Sequence, residues 1–123
     1  MKFENISETC TTEANMSCLQ GHVNINYFKL VELFGEAGEG DPCKIQKEWT
    51  LKFEDGTIAT IYDYKWGDCY NGHGNGTHYT EVPEWNIGGF NLNAVHHVLD
   101  VIQNGVDNDA IEGELVQKAL PAP

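Results

Sequence analysis

Two short stretches of alternating hydrophobicity meet at Asp55-Gly56, and they leave the middle of this chain little choice but a β-hairpin. From 45 to 53 the odd positions Ile45, Trp49, Leu51 and Phe53 are apolar, interrupted by Lys47, while Lys44, Gln46, Glu48, Thr50 and Lys52 are polar. A period of two sends successive side chains to opposite faces of a strand. Asp-Gly is a signal for a two-residue type I′ turn, and residues 57–64 then return as the partner strand. With Asp55-Gly56 as the whole loop, Phe53 faces Ile58, Leu51 faces Thr60 and Trp49 faces Tyr62, which gathers the aromatics on one face. The other face pairs Lys52 with Ala59 and Glu48 with Asp63 and reads as solvated. An apolar face needs a cover, and helices are the expected cover.

Helical periodicity supplies them. Tyr27, Leu30, Val31 and Phe34 fall at i, i+3, i+4 and i+7, behind the candidate caps Asn24 and Asn26 and before the stop signal Gly35. Val95, Val98, Leu99 and Ile102 repeat that spacing after Asn91, and Asn104-Gly105 reads as a terminator. Residues 18–23 read as a first strand, and 84–87, with Trp85 and Ile87, as a later one ended by Gly88-Gly89. The order β-α-β-β-β-α predicts an α+β fold, with an antiparallel sheet of three or four strands and two helices packed on one face. Residues 1–16 read as a polar arm or short edge element, 17–105 as the α+β domain, and 106–123 as an acidic tail. In that tail Ile111, Leu115 and Ala119 are spaced for a short docking helix.

The 123 residues suit one domain. Charge narrows the partners. Nineteen acids against seven lysines, with no arginine, leave a net charge of −12. Arginine is the preferred group for bidentate phosphate and base-edge contacts, so direct nucleic-acid binding and an anionic membrane surface are not expected. No apolar run is long enough to cross a bilayer, and the opening Met1-Lys2-Phe3-Glu4-Asn5 has no secretory h-region, so a cytoplasmic location is expected. The four cysteines (Cys10, Cys18, Cys43, Cys69) form no C-x-x-C and are expected as free thiols.

The middle of the chain resembles a group of short uncharacterised proteins encoded by bacteriophages and other viruses. The matching pieces are Leu19-Gln20-Gly21, Leu30-Val31 with Phe34-Gly35-Glu36, and Glu48-Trp49. They continue with Phe53-Glu54-Asp55-Gly56-Thr57-Ile58-Ala59-Thr60-Ile61-Tyr62 and Trp85-Asn86-Ile87-Gly88-Gly89, within residues 18–100. The resemblance implies no reaction. It implies a viral accessory protein in a host cytoplasm, whose role is inhibition of a host component or a place in a virion.

Chemistry-bearing residues concentrate between 64 and 79. Asp68, Cys69, His73 and His78 are ligand-type side chains, but their spacing matches no zinc signature, and no metal or cofactor is expected. His96 and His97 are adjacent and point about 100° apart on a helix, so they do not share one ligand. No nucleophile elbow or triad pattern occurs. Residues 67–83 read as a long Gly/Asn/His-rich loop without secondary structure, expected to be mobile unless a ligand or another chain orders it. The candidate binding residues are Tyr64, Trp66, Tyr70, His73, His78 and Tyr79, aromatic walls suited to a partner's side chain or a nucleobase. The expected function is that of a non-enzymatic binding protein whose target is a host protein or a small nucleotide-like ligand, with homo-oligomerisation compatible. The alternatives are a virion or assembly protein and a small metal-dependent enzyme built on the 67–83 loop.

Overall fold

The computed structural model describes residues 1–8 and 13–113, with side chains through residue 105. The chain is α+β. Five strands, β1 (Phe3–Asn5), β2 (Cys18–Asn24), β3 (Glu48–Phe53), β4 (Ile58–Tyr62) and β5 (Glu84–Gly89), form one antiparallel sheet in the order β1-β3-β4-β5-β2. Helices α1 (Tyr27–Phe34) and α3 (Asn93–Gly113) lie on one side of it, and a short α2 (Asp68–Asn71) lies in the segment after β4. The sheet has one strand more than the sequence indicates. Phe3–Asn5, within the polar 1–16 segment, pairs with β3 as an edge strand, and the Phe3 ring packs at a tilt 5.4 Å from Phe34 and 5.6 Å from Phe53. Three residues are too few for alternation to show.

On β3 and β5 the dry face is the one anticipated, but on β4 the two sides are exchanged, with Ala59 and Ile61 facing the core where Ile58, Thr60 and Tyr62 were expected. Trp49, Leu51, Phe53, Ala59, Ile61, Trp85 and Ile87 are buried against Leu30 and Phe34 of α1 and Ala94 and Val98 of α3. α1 starts where Asn26 accepts from the Lys29 N–H at 2.8 Å, and ends where the Gly35 N–H donates to Val31 O. Trp49 and Trp85 meet edge to face at 5.5 Å. Trp49 donates to Gly35 O at 2.7 Å, whereas the Trp85 indole N–H is buried and has no partner among the described residues.

The hairpin differs in register from the sequence expectation. The pairs are Leu51 with Ala59, Thr50 with Thr60, Trp49 with Ile61 and Glu48 with Tyr62. The Phe53 N–H bonds Thr57 O, the Gly56 N–H bonds Phe53 O, and Gly56 alone at the tip has a positive φ, +92°. The loop is therefore three residues, Glu54-Asp55-Gly56, a type I turn closed by a left-handed glycine. Asp55 accepts from the Thr57 N–H and pairs with His97 of α3 at 2.8 Å, which holds its carboxyl down at about 2, the Thr57 amide being the larger cause. An Asp side chain that caps the turn in this way leaves the left-handed position to Gly56 alone.

The outer face is only partly solvated. The Ile6 N–H prolongs the β1–β3 ladder onto Thr50 O, the Thr50 N–H bonds Ser7 Oγ, and Glu13 reaches Lys52 at 3.4 Å, so residues 6–8 and 13–17 lie against the β3–β4 part. Thr60 and Ile58 are buried, so β4 is covered on both sides. The Asn104-Gly105 terminator also fails, since α3 runs on to Gly113. A Cβ at Gly105 would meet Leu33 Cδ2 at 2.3 Å, so this glycine allows α1 and α3 to approach closely rather than ending the helix.

Candidate functional site

The segment from Tyr64 to Tyr79 has more regular structure than its composition indicates. It contains α2 and a single 3-10 turn, Tyr79–Glu81, capped by His78. Asp68 accepts from the Gly74 and Gly76 N–H groups at 3.1 and 2.9 Å, and the Thr77 N–H bonds Trp66 O. Those amide bonds pull the Asp68 carboxyl below its usual range. Underneath, buried Asp63 accepts from the Gln46 and Lys47 N–H groups and from Gln46 Nε2, while the same Gln46 amide group donates to Thr77 O. A polar network thus ties the loop to the start of β3.

This tethering splits the six candidate residues. Tyr64 and Tyr70 stand exposed, with Lys65 Nζ 5.0 Å from the centre of each ring. Lys65 has an unusual φ of +68°, fixed by its N–H on Lys44 O and its carbonyl accepting from Asn71 Nδ2. The phenols of Tyr70 and Tyr64 hold the Lys65 ammonium above its usual value. His73 is exposed on the turn beyond α2. Trp66 and Tyr79 instead turn inward and pack on the core. Tyr79 lies 4.7 Å from Tyr27 with Lys47 over its ring at 5.0 Å, and exposed His78 stacks on it at 4.2 Å. The six residues thus fall into an inward and an outward group. Among the described residues no group of three His, Cys, Asp or Glu side chains could hold a metal ion, so the metal-dependent reading finds no centre in this loop. Cys43 and Cys69 bring their thiols together, which raises the Cys43 thiol.

The sequence did not reveal a second feature, because the hairpin register moved by one residue. One rung of the sheet runs Glu48–Tyr62–Asn86–His22 across β3, β4, β5 and β2, on the face away from the helices. Tyr64, two residues further along the chain, meets Tyr62 edge to face at 6.4 Å. Glu48 adjoins a polar cavity of about 250 Å³ lined by Ser7, Ala14, Ser17, Thr50 and Thr60, and burial raises its carboxyl pKa. Burial raises Tyr62 as well, with Glu48 adding to it.

The site and fold define an acidic antiparallel α+β protein with an aromatic outer surface. The chain matches no protein-family model and no curated protein. No helix among the described residues is long and apolar enough to cross a membrane.

Proposed function

We propose that this chain is a non-enzymatic binding protein of the viral accessory kind, which inhibits or sequesters a host protein by occupying its surface. The supporting observation is the division of the loop aromatics: Trp66 and Tyr79 serve the core, while Tyr64 and Tyr70 flank Lys65 on an exposed, internally braced surface. Exposed tyrosines with few rotatable bonds suit a protein interface, whereas a nucleotide-like ligand needs an enclosing pocket with convergent phosphate donors. The net charge of −12 favours a basic partner and fast, salt-sensitive association.

The test is capture from host lysate with Tyr64→Ala, Tyr70→Ala, Trp66→Ala and Tyr79→Ala. Loss of the partner is expected in the first two with thermal stability kept, and reduced stability in the last two. Inhibition should reach its endpoint at stoichiometric protein. Catalytic turnover of a substrate by substoichiometric protein would overturn this function.

A further inference from the structure

The two edges of the sheet are unequal. β1 spans three residues, carries Glu4 beside Lys2, and has its end tied down where Asn5 Nδ2 donates to Phe34 O and Glu36 O, both at 2.9 Å. Short, charged edges are the usual defence against unwanted strand pairing. β2 spans seven residues, Cys-Leu-Gln-Gly-His-Val-Asn, with neither charge nor proline. Its one irregularity is a register shift between Leu19 and Gly21, where Gln20 Nε2 bonds Gly89 O. The ladder shows which backbone groups are free. The Ile25 N–H bonds Pro83 O at 3.3 Å, and bonded rungs alternate in an antiparallel pair. The bonded rungs therefore fall at Val23 and Gly21, and the backbone groups of His22 and Asn24 point away from β5. Both residues are exposed, and no strand pairing or backbone hydrogen bond among the described residues reaches that side.

Charge selects the occupant. No lysine occurs from 66 to 113 or from 3 to 28, so β2, β5 and the described part of α3 carry no cationic lysine. Exposed Glu84 lies directly opposite Asn24 at one end of the edge, and exposed Glu81 precedes it in the chain. Large apolar side chains stand at the other end: Leu19 is 51% exposed, Phe90 51% and Leu92 58%. A second copy would bring the same acidic surface against itself, whereas a basic strand complements it. We propose that the outer edge of β2 is the docking site for an extended, lysine- or arginine-rich segment of a protein partner, which adds as a sixth strand through the backbone groups of His22 and Asn24. This edge assignment rests on the binding function above and places the partner beside the Tyr62–Asn86–His22 row.

The experiment uses the isotope-labelled full chain and a short peptide of alternating valine and lysine, with an alternating valine–glutamate peptide as its counterpart. Amide exchange at His22 and Asn24 is expected to slow by about tenfold or more with the basic peptide and to stay unchanged with the acidic one. His22→Pro removes an outward N–H and leaves the β5 ladder whole, so it should abolish the effect without loss of fold. Leu19→Lys, a charge placed at the same edge, should weaken it. Unchanged exchange with the basic peptide, or equal protection by the acidic peptide, would overturn the assignment. So would slow exchange in the free chain together with sedimentation as a dimer, which would make a second copy the occupant. If His22→Pro still captures the host partner in full, the edge is wrong and the binding function stands. Protection by the peptide with no host partner captured leaves the edge standing and removes the function.

Discussion

The two faces of this sheet are built from alternate residues of the same strands, yet they solve different problems. On the helix side Trp49, Leu51, Phe53, Ile61, Trp85 and Ile87 are buried in a close-packed layer under α1 and α3. On the other side residues 6–8 and 13–17 meet β3 and β4 through polar contacts, while β2 at the far edge stays largely exposed. The difference shows where this chain has put stability and where it has left material for recognition. Changes to the dry face should be read out as unfolding, and changes to the open part of the outer face as lost binding.

The largest expected effect lies in the dry layer. Trp85→Ala should cost about 3–5 kcal/mol in denaturant unfolding, as for other buried aromatics. The two tryptophans also separate packing from hydrogen bonding. Trp49→Phe strands the Gly35 carbonyl, whereas Trp85→Phe removes an N–H that has no partner among the described residues. Trp49→Phe is therefore expected to be worse by about 1 kcal/mol. Equal losses would mean that the indole hydrogen bond contributes nothing.

Asp63 comes next, where polarity enters the interior at the end of β4. Its Oδ1 serves two backbone amides and its Oδ2 one side-chain amide, with no exposure to water. Asp63→Ala should cost roughly 2–4 kcal/mol by leaving those donors unpaired, and should loosen the 64–79 segment along with it. Asp63→Asn keeps one acceptor and should fall between. A fall in stability with unchanged amide protection at Thr77 would show that the loop is held by other bonds.

The hairpin tip belongs to both faces. Gly56→Val should cost at least about 1 kcal/mol, because φ is +92° there and a β-branched residue resists that region. A Cβ at this position would meet nothing within 4 Å, so the cost is conformational and Gly56→Asn should be milder. Similar losses for valine and asparagine would point to a steric cause.

This tip also marks how far the sequence carries. Alternation in 45–53 and the Tyr27 and Val95 stripes were enough for the class of fold and for the dry side of β3, because periodicity reports burial directly, but the inward side of β4 depended on the turn. The turn type was not legible, since Asp-Gly suits both a two-residue loop and the end of a three-residue one. The choice moved every cross-strand partner by one residue and concealed the Glu48–Tyr62 rung. Gly105 looked like a stop because composition cannot distinguish a helix end from a close helix contact. For the candidate site, the aromatic and histidine content of 64–79 was visible, but its division into inward and outward groups was not. That division goes with the bonds of Gln46 to Asp63 and to Thr77, the latter across 31 residues of sequence.

The smallest expected effect tests the outer face most sharply. Glu48 is a carboxyl on the polar side of β3, and burial raises its pKa. For an acid whose folded pKa lies above the unfolded value of about 4.3, the native state binds the proton more tightly. Stability then falls as pH rises through the folded pKa, and the penalty is complete above it. Glu48→Gln removes the charge and keeps the shape, so it should stabilise the protein at pH 7. The gain should shrink as pH falls and vanish below about pH 4, where both states of the wild type are protonated. Thermal melts of the two proteins across that range measure it. A gain that is independent of pH would assign the effect to packing alone. A loss at pH 7 would mean that the carboxylate is held charged by a partner, and that this stretch of the outer face is a satisfied polar network like the one around Asp63.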